Sequence, residues 1–256
     1  MSTEDVHLEV SDYIAVVTLD RPPANPLNSN ARQCLTKIFD EITDRKDVRV
    51  AVLTGAGKIF CSGADLKDRP STKDPGQYWL HNRIVRETGN SIKECSKPVI
   101  AAVNGPALGA GMGLAMSCDI LIASENAVFG LPEINVGLAG GAAMLQEHFG
   151  RSRLRRLLYT GMRMPAAEMY RLGLIEASVP PEQLMPEALK IAAEIAEKNP
   201  LGIRFAKLSA NMVQLMPQRD AYRFEQNFTV ELSKTENAAE ARRAFAEKRK
   251  PVYKDD

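Results

Sequence analysis

Apolar positions along the first half of the chain come in short runs separated by polar, Pro- and Gly-containing breaks. Tyr13–Leu19 (YIAVVTL) is β-branched and ends at Arg21-Pro22-Pro23, which predicts a strand. Asn28 or Ser29 caps a helix in which Ala31, Leu35, Ile38 and Ile42 recur at helical spacing. Val50–Leu53 predicts a second strand, followed by a small-residue loop from Gly55 to Asp65 that ends at a helix start. Val99–Val103, Ile120–Ala123 and Ala127–Phe129 predict three more. Between them lie Asn104–Leu108, a Gly-rich turn and the apolar segment Leu114–Cys118.

After residue 140 the period lengthens to that of helices: Ala142–Phe149, Arg153–Tyr159 and Ala166–Leu172, with one strand at Ile175–Val179. A helix from Glu182 to Lys198 carries Leu184, Ala188, Ile191 and Ile195 on one stripe and stops before Pro200. Helices then fill Leu201–Leu215, Tyr222–Leu232 and Asn237–Glu247, the last capped by Asn237 with Glu240 reaching back. Strands that alternate with helices and then give way to helices indicate an α/β core with a helical C-terminal part. The polar stretch Asp68–Gly76 reads as a mobile loop.

Composition narrows the class. The chain has 256 residues, 45% of them apolar, with 33 Lys plus Arg against 32 Asp plus Glu. That balance supplies no field for nucleic acid or for an acidic membrane surface. No apolar run is long enough to span a bilayer, and MSTEDVHLEV lacks the apolar core of a secretory signal. Cys34, Cys61, Cys95 and Cys118 are scattered and read as reduced thiols of a cytoplasmic protein. His7, His81 and His148 share no ligand spacing, so no metal site is expected.

Three segments can carry chemistry. FCSGADLK (Phe60–Lys67) places a Gly among small residues before a helix start, which exposes backbone N–H groups to an anionic oxygen; it reads equally as a plain loop-to-helix turn. In KPVIAAVNGPALGAGMGLAMSCD (Lys97–Asp119) a strand leads to Gly109, Gly111 and Gly113. Dinucleotide binding is disfavoured there, because Asn104–Leu108 intervenes and the third Gly comes a residue early. In FGLPEINVG (Phe129–Gly137), Glu133 sits among apolar residues, either as a carboxyl with a raised pKa suited to proton transfer or as a surface loop residue.

Together with RPPANPLN (Arg21–Asn28), AVLTGAGKIFCSGADLK (Ala51–Lys67), RLGLIEASV (Arg171–Val179) and AFAEKRKPVY (Ala244–Tyr253), these segments resemble the crotonase (enoyl-CoA hydratase/isomerase) superfamily along essentially the whole chain. The resemblance implies a spiral of ββα units over residues 1–195 and a helical trimerisation region over 196–256, assembled as a homotrimer or homohexamer. It implies a CoA thioester as substrate, with coenzyme A present only as part of that substrate and no separate cofactor. Ala64 and Ala110 would donate the two oxyanion-hole N–H groups. Asp65, Leu66 and Lys67 would lie near the adenine and pantetheine, and Glu133 would be the acid/base.

The sequence departs from the family's hydratases at one place: their first glutamate falls on Gly113. A hydratase-type lyase that uses Glu133 ranks first, and a 3-enoyl-CoA to 2-enoyl-CoA isomerase second. A hydroxycinnamoyl-CoA hydratase-lyase and a non-catalytic acyl-CoA-binding scaffold complete the set. A dehalogenase fits poorly, since Leu138–Ala142 holds only Gly and apolar residues. Tyr78, Trp79, Tyr222 and Phe224 are candidate pocket residues, and Lys67 and Lys248–Lys250 candidate phosphate contacts.

Overall fold

The computed structural model describes residues 5–71 and 73–254. In chain order the strands are β1 (Val6–Ser11), β2 (Ile14–Leu19), β3 (Val50–Gly55), β4 (Val99–Val103), β5 (Ala107–Leu108), β6 (Ile120–Ser124), β7 (Val128–Gly130), β8 (Arg163–Pro165) and β9 (Ala177–Val179). The helices are α1 (Ser29–Asp44), α2 (Pro75–Glu94), α3 (Ala110–Met116), α4 (Ala142–Leu145), α5 (Arg151–Thr160), α6 (Ala166–Arg171), α7 (Leu184–Ala196), α8 (Pro200–Val213), α9 (Gln218–Ser233) and α10 (Glu236–Ala246).

The main sheet runs β1-β2-β3-β4-β6-β9, antiparallel only at the first pair. Asp12 and Tyr13, both at positive φ, make the tight turn between β1 and β2. A small sheet, β5-β7-β8, stands beside the main one. The central strands are buried throughout, as parallel strands covered on both faces must be. Their side chains alternate between two cores. Ala51, Leu53, Val99, Ala101 and Val103 join Leu35, Ile38 and Phe39 of α1 on one face. Val50, Val52, Ile100 and Ile122 meet Leu184, Ala188 and Ala192 of α7 on the other.

The α1 start follows expectation: Asn28 Oδ1 accepts the Ala31 N–H at 2.8 Å. Three features differ from the sequence reading. The strand β1 is an edge whose His7 and Glu9 break the apolar run, which hides it from hydrophobic patterning. Helix α2 buries only Thr88, Ser91 and Ile92, so it lacks the broad apolar stripe that marks a helix. Finally, Asn237 does not cap α10. Thr235 does, accepting the Ala238 N–H at 3.1 Å. Asn237 instead bonds the Lys254 backbone, and Glu240 turns away to Arg249, Arg243 and the Val252 N–H.

The C-terminal helices are tied to the core by one buried cation. Lys207 of α8, its side chain 5% exposed, donates to Asp119 Oδ2 at 2.8 Å and to the Lys97 and Ile92 carbonyls. Phe205 stacks on Phe228, and Phe224 meets Phe228 edge-on, joining α8 to α9.

Candidate active site

The loops that leave β3 and β4 meet at the carboxyl ends of these parallel strands, where open α/β sheets place their ligands. Asn25, buried and at positive φ, holds the first loop. Its Nδ2 donates to the Ile59 and Ala56 carbonyls, and its Oδ1 accepts the Arg21 N–H. Arg21 in turn pairs with Asp65 at 2.9 Å. Leu27 then bridges to the same loop, donating to Gly63 O and accepting the Asp65 N–H. A parallel bridge of this kind uses the groups on either side of Ala64 and leaves Ala64's own N–H pointing elsewhere. Ala64 is exposed. The RPPANPLN motif therefore acts as a frame for the Ala64 turn, a role that its sequence does not announce.

The second loop is registered against the first. Cys61 N–H donates to Pro106 O, and Leu108 N–H to Cys61 O at 2.9 Å. Helix α3 begins at Ala110 itself, so Gly111 and Gly113 lie within the helix rather than before it. Ala110 is then a first-turn residue, whose N–H has no partner within the helix. Neither Ala64 N–H nor Ala110 N–H donates to an acceptor among the described residues. The two turns touch: a Cβ on Gly63, at φ +108, would lie 3.6 Å from the Ala110 nitrogen.

Glu133 stands on a 3₁₀ turn, Pro132–Val136, whose carbonyl at Glu133 accepts the Leu138 N–H. Its carboxylate lies against Gly109, the residue before Ala110. A Cβ there would come 2.5 Å from Oε1. Gly109 also has φ +56, so the position demands glycine twice over. Oε2 is buried with no hydrogen-bond partner among the described residues. Burial pushes the carboxyl above the usual glutamate range, opposed in part by a hydrogen bond to its own backbone.

At Gly113 a Cβ would meet the Met144 methyl at 3.0 Å and its sulfur at 3.3 Å. Met144, on α4, thus covers the site where a second carboxylate would emerge. A cavity of about 330 Å³ opens beside Glu133, lined by Leu131, Ile134, Leu138, Leu158 and Tyr159 among others. A larger cleft of about 580 Å³, lined by His148–Arg153 and Leu172, contains none of these site residues.

The remaining sequence candidates fall elsewhere. Asp65 caps a 3₁₀ turn, Leu66–Asp68, through the Lys67 N–H, and Leu66 and Lys67 are exposed beside Ala64. Trp79 is 77% exposed and Phe224 belongs to the α8–α9 aromatic cluster, so neither lines the Glu133 cavity; Tyr159, which patterning does not single out, does. In the basic tail, Lys250 pairs with Glu197 and Arg249 with Glu240. None of the four cysteines is in a disulfide among the described residues, and Asp20 holds His7. No helix among the described residues is long and apolar enough to cross a membrane.

This architecture is the crotonase fold. The 1.8 Å crystal structure of an enoyl-CoA hydratase from Bacillus anthracis matches with a TM-score of 0.93 and 33% identity, covering 98% of this chain and 100% of that one. The model of the enoyl-CoA hydratase/isomerase family matches residues 9–256, and the chain belongs to that family. It is similar to a short-chain-enoyl-CoA hydratase of Clostridium acetobutylicum, 37% identical over 258 residues, covering 98% of this chain and 97% of the relative. It is equally similar to an (E)-benzylidenesuccinyl-CoA hydratase of Thauera aromatica, 37% identical over 256 residues and covering 97% and 98%. The protein is an enzyme of this family.

Proposed function

We propose that the enzyme adds water across the double bond of a 2-enoyl-CoA thioester, with Glu133 as its one carboxylate. The observation that carries this reading is the half-buried carboxylate of Glu133 against Gly109, with Oε2 unpartnered. Ala64 and Ala110 direct their free N–H groups at the thioester oxygen. Glu133 orients a water molecule and takes its proton as the oxygen bonds to the β-carbon. The π electrons move onto the thioester oxygen, where the two amides stabilise them, each worth about 3 kcal/mol of barrier. Protonation of the α-carbon by Glu133 then restores the carboxylate and completes the 3-hydroxyacyl thioester. The names of the similar relatives, two of them hydratases, support this choice.

Met144 over Gly113 favours a second reading. With an apolar group where a second carboxylate would stand, a single carboxylate can move a proton between the α and γ carbons of a 3-enoyl thioester without water. Product analysis with crotonyl-CoA and 3-hexenoyl-CoA in H₂¹⁸O separates the two. Labelled 3-hydroxybutyryl-CoA from crotonyl-CoA supports hydration; unlabelled 2-hexenoyl-CoA from 3-hexenoyl-CoA, with crotonyl-CoA untouched, supports isomerisation.

The acyl chain enters the apolar cavity beside Leu131, Leu138 and Tyr159, and the exposed Leu66 and Lys67 flank the CoA moiety. Residues 196–256 form the contact between copies in a homotrimer or homohexamer. Phe245 at 88% exposure, Leu215 at 78% and Val252 at 77% are apolar side chains that such a contact would cover. Four cysteines with no disulfide among the described residues fit a cytoplasmic setting.

A further inference from the structure

The cavity beside Glu133 is larger than a four-carbon acyl group fills. An apolar cavity of about 150 Å³ takes up a benzene molecule. At about 330 Å³ this one holds on the order of twice as much, about twelve carbon atoms. A crotonyl group carries only two carbons past its α-carbon and leaves most of that space to water.

The cavity adjoins the reacting atoms. Glu133 is itself part of its lining. Helix α4 contributes Ala142 to the wall, and Met144, two residues on, covers Gly113. Gly113 stands about one turn after Ala110 on α3. One short element therefore walls both the cavity and the neighbourhood of the oxyanion turn. An acyl group whose carbonyl meets Ala64 and Ala110 leads past Glu133 into the cavity.

The lining also selects the kind of tail. Apart from Glu133 and Tyr159, every lining residue is aliphatic or glycine. No cation is among them, so a second carboxylate on the acyl group would lose its water with nothing to replace it. Ala139, Gly140 and Ala142 keep one stretch of the wall small. Gly140 lacks the positive φ of Gly141, and a Cβ on it would meet nothing within 4 Å, so its missing side chain widens the cavity without serving a turn. Tyr159 of α5 is 69% exposed and Ile134 41%, apolar surface that a long tail covers.

We propose that this cavity sets the substrate class: the preferred thioester carries an uncharged apolar acyl group of about eight to twelve carbons, with Ala142 and Tyr159 as the residues that determine its size. This rests on the acyl-CoA reading above.

Saturated thioesters separate binding from whichever reaction follows. The intact protein is titrated calorimetrically with butyryl-, octanoyl- and 3-phenylpropanoyl-CoA. A fully buried methylene is worth about fourfold in affinity, and a cavity open on one side keeps about half of that free energy, so at least one of the two larger thioesters binds about tenfold tighter than butyryl-CoA. A gain confined to 3-phenylpropanoyl-CoA identifies a ring as the occupant and one confined to octanoyl-CoA a chain; either supports the proposal. Ala142→Leu narrows the cavity from an exposed position, and Tyr159→Ala removes part of its wall. Each cuts that gain by about threefold or more. Equal affinity of the wild type for all three thioesters, or a gain that survives in both variants, overturns the proposal. Failure of all three to bind overturns the acyl-CoA reading along with it.

Discussion

Replacing Gly109 by alanine probes the join between the acid/base and the oxyanion turn. Gly109 has φ +56 and ψ −123, a conformation that costs a residue with a side chain about 1–3 kcal/mol. The added Cβ would stand 2.5 Å from Glu133 Oε1, well inside contact distance, so the carboxylate must retreat by several tenths of an ångström. Misplacement on the order of 1 Å typically lowers turnover about 100-fold. Gly57 provides a reference at positive φ: it has φ +71 with nothing within 4 Å of its Cβ. Gly57→Ala therefore carries the backbone strain without the collision. Urea unfolding and steady-state hydration of an enoyl-CoA are measured on both variants. Both lose stability, Gly109→Ala the more because the collision adds to the strain, but only Gly109→Ala loses about one to two orders of magnitude in kcat/KM. Unchanged kcat/KM in Gly109→Ala, or an equal loss in Gly57→Ala, would refute the placement of Glu133 against the turn.

Other outcomes follow from the same geometry. Lys207→Met leaves Asp119 and two carbonyls without their buried cation; because Asp119 is 25% exposed and keeps the Val99 N–H, the loss is about 2–3 kcal/mol, read as a lower urea midpoint with an unchanged slope. The raised Glu133 pKa puts the acid limb of kcat/KM above the usual carboxylate range, since catalysis needs the ionised form; a limb at or below pH 4.5, the ordinary glutamate value, would contradict it. The same shift has a sign for stability. The unfolded chain releases this proton first as pH rises, so Glu133 lowers stability above its unfolded pKa, and Glu133→Gln raises the Tm near neutrality with the gain vanishing in acid.

The sequence makes much of the fold legible because the chain keeps local pattern and burial in agreement. β3 and β4 are buried on both faces and read as continuous apolar runs, and Asn28 announces α1. What escapes the pattern is marginal in burial. α2 is long but mostly solvated, β5 has two residues, and β1 is a polar-broken edge. Of the candidate site, Ala64, Ala110 and Glu133 stand in motifs that mark themselves, and the structure brings their turns together. The supports do not mark themselves: the Asn25 amide reaches a loop carbonyl and the Arg21 guanidinium reaches Asp65, contacts made between segments distant in the chain. Arg32 does leave a signal, a charge set in the apolar stripe of Ala31, Leu35, Ile38 and Ile42, but only the structure shows that its Nε is buried with no hydrogen-bond partner among the described residues.

The central claim is that Ala64 and Ala110 hold an enolate oxygen while Glu133 moves the α-proton. Hydrogen exchange at the α-carbon of a saturated thioester tests it apart from the overall reaction. Octanoyl-CoA and butyryl-CoA are incubated with enzyme in D₂O and followed by mass spectrometry. The account predicts deuterium uptake at the α-carbon with the wild-type enzyme and none above background with Glu133→Gln, although the variant still binds both thioesters. Exchange at the same rate in Glu133→Gln, or no exchange in the wild type despite binding, would contradict it.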